Sequence, residues 1–386
     1  MTLPALLRDR KVRDVITQAA VAIGLVALLV YFVRNASENM VKAGIASGFD
    51  FLWRQAGIDV QFQLTGYTSA SSNLGLLWAG IVNTLLISAV SIAAATVLGF
   101  LIGVARLSRN PLLAGIAGAY VEFARNIPLL FFVLIWYFGV VASLPAPRGS
   151  IGLFGVAYLN NRGLTVPLPN DTAGFGYVAL LLAAGIALQL GVSAWARRRQ
   201  ERTGQIFPVV TSGFVLVVLL PALAALAATL STSWDVPALR GFNYRGGFVL
   251  PPEFVALFAA LTTYTAAFIA EIVRAGILAV PKGQIEAAKA VGLSPGQTLR
   301  LVTVPQALRV MVPPMTSQYL NIIKNSSFGA AIAYPDVVSL FMGSALNNTG
   351  QAIEIIAITL ALYLAISLAV SAFMNWYNAR IALVTR

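Results

Sequence analysis

The 386-residue chain contains no cysteine and no histidine. Without cysteine there is no disulfide, no thiol nucleophile and no thiolate metal site. Without histidine the commonest general base and the commonest metal ligand are both missing. Charge is scarce too. Only 10% of the residues are Asp, Glu, Lys or Arg, against about 25% in a soluble domain. So few charges do not keep a surface in water, and lipid is the expected solvent. Acids are the rarer sign, 14 against 26 Lys and Arg, for a net charge of +12. That excess reads as the Lys/Arg loading of cytoplasmic loops, with no nucleic-acid partner.

What the chain has in quantity is apolar residues, 58% of the total, and they come in long blocks rather than at a helix or strand period. No Asp, Glu, Lys or Arg falls between Asp59 and Arg106, Arg125 and Arg148, Asp171 and Arg197, or Thr203 and Trp234. A spanning helix needs about 20 apolar residues, and only helices or closed barrels satisfy their backbone in hydrocarbon. Strand alternation is absent, so the expected fold class is all-α, a multi-spanning membrane protein with about eight transmembrane helices. Seven spans are clear: Val15–Val33, Leu76–Ala105, Tyr120–Ala142, Tyr177–Ala196, Phe207–Leu230, Phe254–Val280 and Ile355–Tyr377. The first is long and lacks a small-residue cleavage site, so it reads as a retained span. Lys324 and Asp336 interrupt an eighth, Pro305–Gly343. Parity requires it, because both flanks, Lys282–Arg309 and Arg380–Arg386, are basic. Arg8, Arg10, Lys11, Arg13, Arg106, Arg109 and the run Arg197-Arg198-Arg199 with Arg202 fall on the same side. The positive-inside bias then puts both termini in the cytoplasm. The 197–199 run reads first as a topology anchor and second as a lipid-headgroup site.

The expected organisation is an N-terminal span and external segment (1–76), a first core part (77–142), an inserted hairpin of two spans with external loops (143–252), a second core part (253–378) and a cytoplasmic tail (379–386). The second core part holds the most informative stretch, 281–305. After a span ends at Pro281, Gln284, Glu286, Ala287, Ala288 and Lys289 favour a short helix. Gly292 stands where a left-handed cap is needed. Ser294 offers an N-cap with Pro295 at the first helical position, and a second helix runs to Val304, where Pro305 ends it. One reading of this helix–turn–helix is DNA binding, but spans at both ends leave no room for a duplex. Another is an ordinary amphipathic loop. The functional reading is a docking element: small Ala287, Ala288 and Gly292 admit another backbone, and Glu286 adds a charge for specificity.

Glu286-Ala-Ala, Gly292 and Pro305 together resemble the EAA loop of membrane subunits of ATP-binding-cassette importers. Gly283-Gln284 before that run, Tyr264–Ile277 containing Glu271 and Arg274, Asn321-Ile-Ile-Lys324, Asn83-Thr84-Leu85 and Tyr120–Leu130 resemble the polar amino-acid permease branch. The extra N-terminal span, Gly48–Gly57, Leu159–Gly163 and the inserted hairpin are similar to the larger permease subunit of general L-amino-acid (glutamate/glutamine/aspartate/asparagine) systems. The resemblance implies a type I importer core of five helices in an inner membrane. It implies coupling through Gln284, Glu286, Ala287, Ala288, Gly292 and Pro305 to two copies of a cytoplasmic ATPase. It also implies a second permease subunit, as a heterodimer, and a periplasmic amino-acid-binding protein. The chain has no phosphate-cradling GxxxxGK[ST] loop, so ATP and Mg belong to the partner ATPase. No cofactor or metal is expected on this chain.

Ionisable residues within spans ask for a partner or a role. Glu271 with Arg274, and Glu122 with Arg125, are three apart and can pair along a helix face. They read as structural pairs or as gate and substrate-path residues. Lys324, with Asn321 nearby, either snorkels to an interface or binds the carboxylate of a transported amino acid. Trp and Tyr near span ends are explained by the interfacial belt. The competing classes are an ion-gradient-driven secondary transporter, which needs broken helices and inverted repeats, a membrane-embedded enzyme, for which acids and bases are too few, and a channel.

Overall fold

The computed structural model describes residues 10–42, 48–205 and 207–381. Arg8, Arg386 and the expected tail from 382 onward lie outside them. In chain order the helices are α1 (Arg10–Lys42), α2 (Asn73–Ala105), α3 (Pro111–Asn126), α4 (Leu129–Val141), α5 (Ala173–Thr203) and α6 (Thr211–Ser231). They continue with α7 (Pro252–Leu278), α8 (Lys282–Ala290), α9 (Val304–Asn325) and α10 (Ala352–Ile381). Six described helices are long and apolar enough to cross a bilayer, or up to seven if α3 and α4 together make one span.

Two expected spans differ in shape. The third is broken: α3 and α4 meet at a 108° bend. The cause is Pro128, which forces the preceding Ile127 out of the helical region to φ −109° and ψ 133°. The eighth, Pro305–Gly343, is no single helix. α9 stops at Asn325, a 3₁₀ stretch covers Ser326–Ile332, Ala333 turns the chain at φ 61°, and a wide π-type stretch follows over Val338–Ala345.

The chain divides into two compact units, Met1–Val133 with Leu257–Arg386, and Leu134–Ala256. In the first, α2 turns a face of small residues inward, including Gly80, Ser88, Ser91, Ala95, Gly99 and Gly103. With no Cβ at Gly99 and Gly103, α7 comes very close. A Cβ at Gly99 would lie 2.6 Å from Ile269 Cβ, and one at Gly103 would lie 2.7 Å from the Ala270 carbonyl oxygen. This is the small-residue packing that membrane helices use where apolar area alone gives no drive.

The segment between α1 and α2, expected only to be external, folds into a cap. Phe51, Val60 and Tyr67 are buried against Leu76, Leu77, Phe341 and Ile355. Polar tethers fix it. Asn73 Nδ2 donates to the Phe51 carbonyl at 2.9 Å, Asn83 Nδ2 to the Phe62 and Pro335 carbonyls at 2.9 Å each, and the Gly48 amide to Glu354 at 2.6 Å. Burial, with Asp59 nearby, pushes the Tyr67 phenol above its ordinary pKa, so it keeps the proton it donates to the Ile58 carbonyl at 2.8 Å.

In the second unit, α5 and α6 form the inserted hairpin. Its flanking loops are not irregular. They hold eight short strands: β1 (Ile151–Leu153), β2 (Ala157–Asn160), β3 (Gly163–Val166), β4 (Leu168–Pro169), β5 (Trp234–Asp235), β6 (Ala238–Arg240), β7 (Asn243–Arg245) and β8 (Phe248–Leu250). They make an antiparallel sheet β1-β2-β3-β8 and the pairs β4-β5 and β6-β7. Strands of two to four residues scarcely complete one alternation, so no period announces them. Pairing across the hairpin, as in Leu164 opposite Leu250, joins its entry to its exit.

Candidate functional site

The elbow between α7 and α9 is built as its residues dictate. α8 ends where Gly292 takes φ +82°. The Gly292 and Leu293 amides donate to the Lys289 and Ala288 carbonyls at 2.9 and 3.1 Å, closing the left-handed cap. The chain restarts at Ser294, whose amide donates to Gln297 Oε1 at 2.9 Å while the Gln297 amide donates to Ser294 Oγ at 3.4 Å. This reciprocal box satisfies two otherwise orphaned donors. Gln284, Glu286, Ala287 and Gly292 are exposed, whereas Ala288 is only 5% exposed. Ala288 therefore packs the elbow on itself and is not part of its outer face.

Pro305 does not end a helix, contrary to its reading in the sequence. It sits in the first turn of α9, directly after a stretch whose hydrogen bonds already run wider than those of an α-helix. The preceding Leu299–Thr303 runs as a π-type turn, whose wider spacing absorbs the ring. The stretch from Pro295 to Asn325 is consequently continuous through the proline. Close packing ties it to α7. A Cβ at Gly276 would meet the Met311 side chain and lie 3.3 Å from the Ala307 carbonyl oxygen, and Ala307 and Met311 are both buried.

One turn above that crossing lies a three-residue charge cluster. Glu271 accepts from Arg274 Nη2 at 2.6 Å and Nε at 3.2 Å, and its second oxygen accepts from Arg106 Nη1. Arg106 follows directly after α2, so the approach permitted by Gly103 brings its guanidinium to the α7 carboxylate. The side chains are 15%, 25% and 33% exposed for Arg106, Glu271 and Arg274, and this partial burial makes a forked carboxylate contact count for more than a surface pair. The Glu271–Arg274 pair was expected. The part of Arg106 was not, although Gly99-x-x-x-Gly103 before it was the available signal.

Glu122 and Arg125 form no ion pair among the described residues. Both are exposed, and the Arg125 guanidinium lies over the Phe268 ring, 5.7 Å from its centroid. Asn321 and Lys324 share the exposed face of α9 with Pro313, Pro314 and Ser317, while Met311, Val312, Ile322 and Ile323 face inward. The Lys324 ammonium has no hydrogen bond or ion pair among the described residues, although its carbonyl accepts from Ser327 Oγ at 2.7 Å. No group of acids able to hold a metal occurs among them either.

Residues 249–383 match the family model described as "Binding-protein-dependent transport system inner membrane component". The chain is 49% identical to the putative amino-acid ABC transporter permease protein YhdX of Escherichia coli (strain K12), over 97% of this chain and 95% of that protein. It is 46% identical to the general L-amino acid transport system permease protein AapQ of Rhizobium johnstonii, over 98% and 94%. It is 39% identical to the glutamate/glutamine/aspartate/asparagine transport system permease protein BztB of Rhodobacter capsulatus, over 100% and 97%.

Proposed function

Because the chain belongs to the membrane permeases of binding-protein-dependent ATP-binding-cassette transporters, we propose that it forms half of the translocation path of an amino-acid importer, moved by a separate ATPase through the elbow 281–305. The observation that carries this reading is the elbow's construction: an outward set, Gln284, Glu286, Ala287 and Gly292, on a capped scaffold continuous with α9 and packed at Gly276 against α7. A push on α8 reaches two core helices through tightly packed contacts, which is what coupling to a distant engine requires.

The proposed complex has a second permease subunit, two copies of a cytoplasmic ATPase that use ATP and Mg, and a periplasmic amino-acid-binding protein. The chain lies in the inner membrane with both termini cytoplasmic. The elbow and the Arg106–Glu271–Arg274 cluster then face the cytoplasm, and the cap 48–72 faces the periplasm. The exposed polar face of α9, with Asn321 and Lys324, turns toward the second permease subunit, since an unpaired lysine on a lipid-facing helix is costly. The relatives' names lend nothing to the ion-gradient alternative.

The cysteine-free chain makes the test direct. Glu286→Cys, placed in the intact complex, should cross-link to the ATPase and be shielded by it from a maleimide added to inside-out vesicles. Labelling by an impermeant maleimide added from the periplasmic side would overturn the reading.

A further inference from the structure

The hairpin α5–α6 lies outside the proposed coupling elbow, and α5 has two distinct faces. One packs on α6: Gly185 is buried where a Cβ would strike the Leu216 carbonyl, Gln189 Nε2 donates to the Val209 carbonyl at 2.9 Å, and Ala196 is buried. The other is open. Ala184, Ala187, Leu188, Gly191, Val192 and Trp195 line an apolar groove of about 670 Å³, and a Cβ at Gly191 would meet nothing within 4 Å.

Helical spacing carries this open face from Trp195 onto Arg198 and Arg202 one and two turns further. Arg199 is already engaged, 5.3 Å from the Trp195 ring and donating to Gln205 Oε1 at 2.6 Å. The guanidinium groups of Arg198 and Arg202, both exposed, have no hydrogen bond or ion pair among the described residues. The run 197–202 holds four arginines against one glutamate, Glu201. A groove fit for a hydrocarbon chain thus ends, past an interfacial tryptophan, in uncompensated guanidinium groups suited to phosphate.

We propose that this face of α5 is a binding site for an anionic phospholipid, with an acyl chain in the groove at Gly191 and the phosphate on Arg198 and Arg202. Charge decides between occupants. A second α5 brought to the same face would set arginine against arginine, whereas an anionic lipid supplies both the chain and the countercharge. The site does not depend on which solute is carried.

The test is native mass spectrometry of the full-length chain with its partner subunits, presented with phosphatidylglycerol or phosphatidylcholine. The wild type should retain phosphatidylglycerol preferentially. Arg198→Gln with Arg202→Gln should lower that preference by about fivefold for each arginine, while Arg198→Lys with Arg202→Lys keeps most of it and shows the hairpin intact. Gly191→Leu should reduce retention of both lipids severalfold. Equal retention of the two lipids by the wild type, or an unchanged preference in the double glutamine variant, would overturn the proposal. So would an α5–α5 cross-link through Ala187→Cys in the intact complex.

Discussion

Arg106 and Glu271, 165 positions apart, are joined by an ion pair just beyond the close approach of α2 and α7 at Gly99 and Gly103. The pair is the visible end of a longer seam. Gly99 and Gly103 let the helices close, and the charges then meet one turn later.

The seam predicts its own weakness. Gly103→Leu inserts a side chain where the Ala270 carbonyl and Val273 already stand. Overpacking of this kind costs about 1–3 kcal/mol or more. Thermal unfolding of the purified complex should begin several degrees lower, with Gly115→Leu, at an open position of α3, as control. Equal melting of Gly103→Leu and wild type would show that α2 and α7 are not packed this way.

Within the charge cluster, removing the acid should cost more than removing one base. Glu271→Gln leaves two guanidinium groups side by side, whereas Arg106→Gln leaves the Arg274 fork intact. In a double-mutant cycle the Arg106–Glu271 coupling should be about 1 kcal/mol, held down by partial solvent access. Additive single effects would mean the contact contributes nothing.

At the elbow, Gly292 tests conformation apart from size. The space around it is open, but φ is +82°. Gly292→Val should strain the cap by about 1–2 kcal/mol and abolish transport-linked ATP hydrolysis in reconstituted vesicles, while the protein still inserts. Gly292→Asn, which tolerates this conformation, should retain most of the activity. If valine and asparagine behave alike, backbone shape is not what the elbow supplies.

Ser294→Ala removes one side of the capping box and should destabilise the restart of the helix by about 1 kcal/mol. Hydrogen exchange over 294–298 should rise severalfold, with the core of α7 unchanged. Protection equal to wild type would place the cap's stability elsewhere.

The long apolar runs announced the spanning helices, and at the elbow Gly292 and Ser294 announced their own caps, because each of these is decided by nearby residues. Pro305 misled, since a proline ends a helix or opens one depending on the turn before it, and a π-type turn carries no residue signature. The break at Pro128 was present in the letters but hidden by the apolar run after it, which draws Tyr120–Ile127 into the same span. Arg106 was visible only as a loop charge, because its partner is chosen by a tertiary approach. The cap 48–72 escaped for the opposite reason. The apolar residues it buries, among them Phe51, Ala56, Val60 and Tyr67, are spaced irregularly and become a core only against helices far along the chain.

That cap has a mechanical corollary. Gly48 is tied to Glu354 near the start of α10, Asn73 at the start of α2 holds the Phe51 carbonyl, and Asn83 grips Phe62 and Pro335 together. Three segments remote in sequence are thereby stitched at one end like staves under a single hoop. Pivoting of the core has to carry these ends along as one body. Its bending point belongs where the backbone is already interrupted, at Ile127–Pro128.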